Sequence, residues 1–309
     1  MDYTIGQTYS FCQQGQRSNQ EDARYPDTDR PDTTQHCWVV CDGVGGCDKG
    51  EVASRTVADA IGNAMRRYPR ESPFAEADFG QVLGEAYSAL WDASNESNKD
   101  MATTLTFAVA HAGGLFVAHI GDSRIYHLRP GVGILYRSDD HSLVNSLVHV
   151  GSLTPDEAID HPRSNVITRC MSADATVENA DGATCKQIAD LMEGDYLLLC
   201  TDGVLHQLDD KDLLELFSTD SSDEHKMQQL ADLSRDSSDN NTATLIPIAS
   251  IRHEDVLVEA RPDEALDGEP EPASQETTKL TPDPSWLTRE VTPAQVEKPS
   301  WWQRLWHRK

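Results

Sequence analysis

The sequence is short of the features that would place a protein in a membrane or outside the cell. It has no apolar run of about 18 residues, the length that a membrane-spanning helix needs. Its first residues lack the basic segment and apolar run of a secretory signal. Its seven cysteines form no C-x-x-C pair, so neither a zinc site nor a disulfide framework is indicated. These absences predict a cytoplasmic protein with reduced thiols.

Positive charge is also scarce. The 309 residues include 26 Lys and Arg against 52 Asp and Glu, a net charge of -26. A surface this acidic repels a phosphate backbone, so we expect no nucleic-acid partner. Clustered carboxylates instead suit divalent cations, although most of these acids would serve only to keep the protein soluble.

Composition changes near residue 259. Seven of the 15 prolines lie beyond this point, mixed with Glu, Asp, Ser and Thr, and the apolar periodicity ends there. Such a segment buries too little apolar surface to offset its ordering entropy. The sequence therefore predicts a folded body over residues 1–258, a disordered acidic, proline-rich linker over 259–298, and a distinct terminal motif over 299–309.

The terminal motif is basic and rich in tryptophan. Trp301, Trp302 and Trp306 fall on one face of a helix, and Arg304 and Arg308 take the other side. This pattern is typical of a helix that docks on a protein partner or lies on an anionic membrane surface. It predicts a peripheral association of this kind. A tail that folds back on the body, or one without a role, stays open as an alternative.

The body contains both helical and strand-like patterns. Apolar spacing predicts helices over residues 52–64, 78–95, 142–150, 209–217 and 223–234. Apolar runs predict strands over residues 37–41, 104–110, 115–120, 125–128, 195–200 and 242–248. Short turns join several of these strands, which favours antiparallel sheets over βαβ units. The sequence thus predicts an α+β fold.

Acidic residues mark the ends of several predicted strands. Asp42, Asp122 and Asp202 follow apolar runs, Asp239 precedes the last run, and Glu21 lies early in the chain. One Asp-Gly pair alone is more often a turn than a site. Several rigid carboxylates without His or Cys ligands are the donor set of Mg²⁺ or Mn²⁺, and two such ions can share a bridging carboxylate. The sequence therefore predicts a divalent-metal site.

Two neighbours of these acids suit the same chemistry. Gly43, next to Asp42, lets a backbone carbonyl approach a metal without a Cβ clash. Arg17, close to Glu21, has the guanidinium geometry that grips a phosphoryl group through two bonds. These two residues direct the metal hypothesis toward a substrate that contains phosphate.

The acids lie within an ordered set of short motifs. The first two are Gly15–Ala23 and Val40–Gly46, and the others lie at residues 103–105, 121–124, 140–144, 162–169, 201–204 and 239–242. In this order the motifs resemble those of the metal-dependent Ser/Thr protein phosphatases, the protein phosphatase 2C type, in their bacterial form. The resemblance covers roughly residues 5–250. Its specificity comes from the ordered set, because each motif alone is weak.

The resemblance implies a role for each matched residue. The implied metal ligands are Glu21, Asp42, Gly43, Asp122, Asp202 and Asp239. Among them Asp42 would bridge two ions, and Asp122 would help to hold a weaker third one. Arg17 would bind the substrate phosphate and, with Asp42, form the catalytic pair. The implied supporting residues behind the ligands are Asp22, Thr104 and Asn240.

The resemblance also implies the fold and the activity. The fold would be a central sandwich of two antiparallel β-sheets flanked by α-helices on both outer faces, with a mobile flap within residues 141–183. The activity would be hydrolysis of phosphoserine and phosphothreonine in proteins, by attack of a water or hydroxide that bridges two Mn²⁺ or Mg²⁺ ions. The implied partners are phosphorylated proteins and a bacterial Ser/Thr kinase that the enzyme opposes, and a monomer is the default expectation.

The chain departs from the family pattern at two points. Val44 stands where many eukaryotic members have a His that protonates the leaving alcohol, so that step would pass to metal-bound water. Cys170 and Met171 replace a usual Leu-Gly pair. His141 is a base by residue type, but its motif favours a structural role. The alternative function is a catalytically silent phosphoprotein-binding regulatory module on the same fold, against which the retained carboxylates argue.

Overall fold

The computed structural model describes residues 2–45, 47, 49–94, 100–159, 161–174 and 182–252. Its strands are β1 (Asp2–Ile5), β2 (Tyr9–Gln13), β3 (Asp22–Tyr25), β4 (Cys37–Asp42), β5 (Ala102–Thr103), β6 (Leu105–His111), β7 (Gly114–Ile120), β8 (Arg124–Arg129), β9 (Gly133–Arg137), β10 (Met171–Ser172), β11 (Thr184–Ile188), β12 (Tyr196–Cys200) and β13 (Asn241–Arg252). Its helices are α1 (Gly50–Met65), α2 (Glu76–Ala93), α3 (Leu143–His149), α4 (Pro155–Ile159), α5 (Asp202–Leu205), α6 (Asp210–Phe217) and α7 (Asp223–Ser234).

Most of the strands form two antiparallel sheets. The first sheet has the order β1-β13-β12-β8-β9, and the second has the order β11-β7-β6-β4-β3. The long strand β13 pairs with β2 through its first half and with β1 through its second half. Strands β5 and β10 form a small separate pair. The antiparallel pairing predicted from the short turns is confirmed.

The two sheets enclose an apolar layer. In β4, Trp38 and Val40 belong to this layer, whereas Val39 and Cys41 pack into a second cluster on the opposite face. The alternation follows from the two-residue period of a strand. Because apolar contacts cover both faces of β4, its sequence is a continuous apolar run rather than an alternating one.

Helices cover both outer faces of the sandwich. Helices α1 and α2 pack on the second sheet through residues such as Ile61 and Leu90. Helices α6 and α7 pack on the first sheet through Phe217 and Leu230. The layers are therefore helix, sheet, sheet and helix. The predicted α+β sandwich with helices on both outer faces is confirmed.

The predicted helices and strands are confirmed with small shifts at their ends. Helix α7 has the predicted bounds, and α2 begins and ends two residues before the predicted range. The structure adds elements that the apolar patterns missed, namely β1, β2, β3, β5, β9, β10, β11, α4 and α5. Strand β11 shows why, since it lies at a sheet edge and most of its residues are exposed. Such a strand contains no apolar run from which it could be predicted.

The chain divides into two units, Met1–Glu254 and Asp255–Lys309. The predicted linker over 259–298 and the terminal motif with Trp301, Trp302 and Trp306 lie outside the described residues. Within the residues that are described, no helix is long and apolar enough to cross a membrane.

Candidate active site

The ends of β4, β7 and β12 and the start of β13 open onto one cavity of about 790 Å³. Eight of the ten predicted site residues line it, namely Arg17, Glu21, Asp42, Gly43, Thr104, Asp122, Asp202 and Asp239. The other two, Asp22 and Asn240, are buried beside them. Residues from distant parts of the sequence therefore share one site.

Asp42 is the last residue of β4, and neighbouring strands fix its backbone. Its N–H donates to Thr104 Oγ1 at 3.0 Å, and its carbonyl accepts from the N–H of Thr104 at 2.8 Å. The N–H of Gly43 donates to the Glu21 carbonyl at 3.0 Å. A Cβ at Gly43 would lie 2.5 Å from the carbonyl carbon of Gly50, so only glycine fits this turn.

Asp22 connects two strand ends behind the cavity. It faces Asp42 in the β3–β4 register, and its Oδ2 accepts a hydrogen bond from Thr201 Oγ1 at 3.0 Å. Thr201 in turn precedes Asp202. Burial raises the pKa of Asp22 to about 8, and the charges of Asp202 and Asp239 add to the increase. Asp22 thus lies behind the cavity, opposite Asp42 and bonded to the residue that precedes Asp202.

Asn240 holds the loop that carries Arg17 and Glu21. Its Oδ1 accepts from the N–H of Glu21 at 2.8 Å, and its Nδ2 donates to the carbonyls of Gln14 and Asn19. The amide group of Asn240 therefore has partners at both of its ends. This arrangement orients a loop that has no sheet ladder of its own.

Among the described residues that line the cavity, Arg17 is the one arginine, and it is paired with a predicted ligand. Its Nη2 lies 2.6 Å from Asp239 Oδ2, and nearly half of its side chain is exposed. Asp202 begins α5, and His206 Nε2 lies 3.6 Å from Asp202 Oδ2. Arg17 therefore reaches the cavity, but one of its donors contacts a carboxylate.

Burial and mutual repulsion raise the pKa values of the cavity carboxyl groups. Burial is the largest cause at Asp42, Asp122 and Asp202, and neighbouring aspartates add to it. The pKa of Asp122 is raised to about 8. The pKa of Glu21 is also raised, by burial and by the charge of Glu51. These carboxyl groups therefore hold protons more readily than exposed ones do, and a divalent ion would compete with those protons.

The site suits divalent cations in the type of its donor atoms and in two carboxylate oxygens that have no hydrogen-bond partner among the described residues. All of the predicted ligands offer oxygen, which Mg²⁺ and Mn²⁺ prefer. Oδ1 of Asp22 and Oδ1 of Asp202 are buried without a hydrogen-bond partner among the described residues. Within that same part of the chain, no three His, Cys, Asp or Glu side chains form a ready-made cluster for one ion. Ion binding at this site would therefore require some side-chain rotation.

The cavity also contains residues to which the motif analysis assigned no role. His161, Ser164 and Asn165 reach it from the segment after α4, and His206 reaches it from the end of α5. The spacing of four residues between Asp202 and His206 places both on one side of α5. That spacing is the signal that could have found His206.

Comparison with known proteins extends these observations. The family model described as Protein phosphatase 2C matches residues 12–235. Serine/threonine protein phosphatase PstP of Mycobacterium tuberculosis is 31% identical over 199 residues, which cover 64% of this chain and 36% of PstP. Protein phosphatase PhpP of Streptococcus pneumoniae is 30% identical over 186 residues, which cover 59% of this chain and 72% of PhpP. The crystal structure of the PstP catalytic domain with two manganese ions has a TM-score of 0.65 at 25% identity, covering 80% of this chain and 99% of that chain.

The chain therefore belongs to the protein phosphatase 2C family, and the resemblance drawn from its motifs is confirmed. The predicted enzyme class, a serine/threonine protein phosphatase, is confirmed at the level of the family. The family match ends at residue 235, before Asp239 and Asn240. Asp239 and Asn240 are supported instead by their positions, since Asp239 lines the cavity and Asn240 is buried behind it.

Proposed function

We propose that this chain removes phosphate from phosphoserine and phosphothreonine in proteins, using two Mn²⁺ or Mg²⁺ ions. The observation that carries the proposal is the convergence of Glu21, Asp42, Asp202 and Asp239 on one cavity beside Arg17. So many carboxylates would repel a phosphate unless cations neutralised them. The PstP structure with two manganese ions supports this choice of cofactor.

Each of these carboxylates would hold one or more of the ions. Asp42, held by Thr104 at the end of β4, would bridge the two ions. Asp202 and Asp239 would join it on one ion, together with the Gly43 carbonyl, and Glu21 would hold the other. When bound, the two ions would supply an activated water and neutralise the charge of the phosphoryl group. Asp122 would help to hold a third ion.

Arg17 would orient the phosphoryl group. Its guanidinium has five N–H donors, and the described contact with Asp239 uses one of its terminal nitrogens. When Asp239 turns toward an ion, the freed donors of Arg17 face the cavity. A cysteine nucleophile is not favoured, because Cys41, beside Asp42, is fully buried and burial raises the pKa of its thiol.

The proposal includes partners. The substrates would be phosphorylated proteins, and a Ser/Thr kinase in the same bacterium would supply them. Trp301, Trp302 and Trp306 would dock the enzyme on a protein or an anionic membrane surface, which the adjoining basic residues support. The enzyme would act as a monomer.

Phosphate release from a phosphothreonine peptide tests the proposal. We expect release with Mn²⁺ or Mg²⁺ and none with EDTA. Asp42→Asn and Asp202→Ala should each lower the rate by at least about 100-fold, because each removes a ligand. Asp190→Asn is the matched control, since the Asp190 side chain is 87% exposed and lies outside the cavity wall. Its rate should equal that of the unmodified protein.

The same preparation separates the alternative function. Isothermal titration should show tight Mn²⁺ binding that Asp42→Asn abolishes. A protein that neither binds Mn²⁺ nor releases phosphate would contradict the proposal and favour the silent regulatory module. Release that persists at nearly full rate in Asp42→Asn would contradict the assigned role of Asp42.

A further inference from the structure

His141 joins three parts of the chain next to the candidate site. Its Nδ1 accepts a hydrogen bond from the N–H of Gly121 at 3.2 Å, and its own N–H donates to the Gly121 carbonyl at 2.8 Å. Its Nε2 lies 2.9 Å from Thr184 Oγ1, at the start of β11. Its ring stacks on His119 with a centroid distance of 4.5 Å. The residue is therefore bonded through both its backbone and its side chain.

These contacts define the protonation of the His141 ring. Because Nδ1 accepts a bond, the neutral ring carries its proton on Nε2 and donates it to Thr184. Burial, His119 and the charge of Arg169 lower the pKa of His141 to about 3, so the ring stays neutral. Both ring nitrogens are occupied, and His119 covers one face. The ring is thus not placed to act as an acid or a base on a substrate.

Gly121 is held by His141 and by Thr104. Its φ of +105° lies in the region that favours glycine. A Cβ at this position would lie 2.7 Å from Thr104 Cγ2, so the two residues touch closely. Gly121 immediately precedes Asp122, which lines the cavity. The contacts of His141 and Thr104 with Gly121 therefore set the direction of the Asp122 side chain.

His141 also holds the segment that follows α4. Its carbonyl accepts a hydrogen bond from the N–H of Thr168 at 2.7 Å. The adjacent Ile167 lines the cavity and forms a β-bridge with Ser142. We call residues 161–169 the cavity segment. A displacement of the cavity segment reaches Gly121 through one residue, His141.

We propose that His141 is a positioning residue that couples the cavity segment and Thr184 to the Asp122 carboxylate. The inference rests on the proposed function in one respect, that Asp122 binds a divalent ion. The position of the cavity segment then affects ion affinity at Asp122. By thermodynamic reciprocity, an ion at Asp122 holds the cavity segment in place. Access of substrate to the cavity and ion binding at Asp122 are thus linked through His141, without direct contact between the substrate and the ion.

Three substitutions separate the contacts of His141. An Asn side-chain oxygen reaches the position of Nδ1, so His141→Asn keeps an acceptor for the Gly121 N–H. A Gln amide reaches the position of Nε2, so His141→Gln removes that acceptor and keeps a group near Thr184. Thr184→Val removes only the hydroxyl on β11 and preserves the shape of the side chain.

The first measurement is hydrogen exchange of the Gly121 amide by NMR, without metal. We expect exchange about tenfold faster in His141→Gln and unchanged within about threefold in His141→Asn, because only the first loses the acceptor. The second measurement is Mn²⁺ binding by calorimetry, together with hydrolysis of p-nitrophenyl phosphate. His141→Gln should weaken the weakest Mn²⁺ step about tenfold, with kcat at saturating Mn²⁺ nearly unchanged.

Thr184→Val tests the other side of the coupling. It should keep Gly121 protected and raise KM for a phosphothreonine peptide about threefold, with KM for p-nitrophenyl phosphate unchanged. The inference would be overturned if His141→Gln folds and keeps both the Mn²⁺ affinity and the Gly121 amide exchange rate of the unmodified protein. If that variant does not fold, loss of Gly121 protection in His141→Asn would overturn it instead. Failure of the proposed function is distinguishable, because the unmodified protein would then release no phosphate.

Discussion

Thr104 shows how one hydroxyl group sets the positions of two candidate ligands. Its Oγ1 accepts from the N–H of Asp42 and lies 2.8 Å from Ser123 Oγ. Ser123 follows Asp122, so the hydroxyl ties the loop of Asp122 to the end of β4. The side chain of Thr104 also packs against Gly121. Replacing this side chain should therefore disturb the site more than the fold.

We predict that Thr104→Val lowers phosphatase activity about tenfold and raises the Mn²⁺ concentration required, because Asp42 and Asp122 lose a shared anchor. Its free energy of unfolding should fall by about 1 kcal/mol. Thr106→Val is the matched control, since Thr106 is also buried, lies two residues further along in β6, and donates to the Val40 carbonyl at 2.9 Å. The control should lose similar stability and keep its activity. Equal activity in the two variants would argue against the anchoring role.

At the scale of elements, a buried ionic network connects β8 to the turn before β12. Asp195 Oδ2 lies 2.8 Å from His127 Nε2, and Asp195 Oδ1 lies 2.8 Å from Arg129 Nε. The N–H of Met192 also donates to Asp195. Burial raises the pKa of Asp195, but the bonds from Arg129 and His127 outweigh it and lower the pKa to about 2. The network fixes how the turn enters β12, which leads to Asp202.

We predict that Asp195→Asn lowers the free energy of unfolding by about 3 kcal/mol at pH 7, because it leaves Arg129 without its buried carboxylate. The folded pKa lies below the unfolded value of about 3.9. The contribution of Asp195 is therefore fully present above that value and is lost as the pH falls toward 2.

Urea unfolding at several pH values measures this effect. The gap between the unmodified protein and Asp195→Asn should narrow as the pH falls from 5 toward 2. The control is Asp190→Asn, because Asp190 also approaches Arg129 but is exposed to solvent. It should unfold like the unmodified protein. A gap that stays constant with pH would show that charge at Asp195 is not the cause.

At the scale of the whole molecule, the electrostatic cost of the site is the dominant feature. The chain has a net charge of -26, and several carboxyl groups with raised pKa values meet in one cavity. Arg17 is the one arginine in the cavity wall that the described residues form. The folded protein therefore carries repulsion that a bound cation would relieve.

We predict that Mn²⁺ raises the free energy of unfolding by about 2.7 kcal/mol at 100 times its dissociation constant, because it binds the folded state. Asp42→Asn should abolish most of this gain. The same variant should be more stable than the unmodified protein in EDTA, since it removes a buried carboxyl group whose pKa is raised in the folded state by burial and by neighbouring aspartates. Thermal unfolding with Mn²⁺ and with EDTA measures both effects. A variant that is less stable than the unmodified protein in EDTA would contradict the electrostatic explanation.

Local patterns predicted much of this architecture. Helix α7 follows from its apolar spacing, and β4 follows from one continuous apolar run, because each pattern reports burial along a single element. Strand β11 could not be found in this way, since its place in the sheet comes from pairing with β7. The same holds for β1 and β2, which share β13 between them.

The sequence by itself determined the family and the antiparallel α+β class, and it singled out the candidate acidic ligands, because motifs and apolar periods are local. Only the tertiary structure decided which side chains meet. Arg17 reaches Asp239 because the loop after β2 packs against the start of β13. His141 reaches Gly121 and Thr184 because β7 and β11 are neighbours in the sheet. Such contacts depend on strand order and register, which no short stretch of sequence contains.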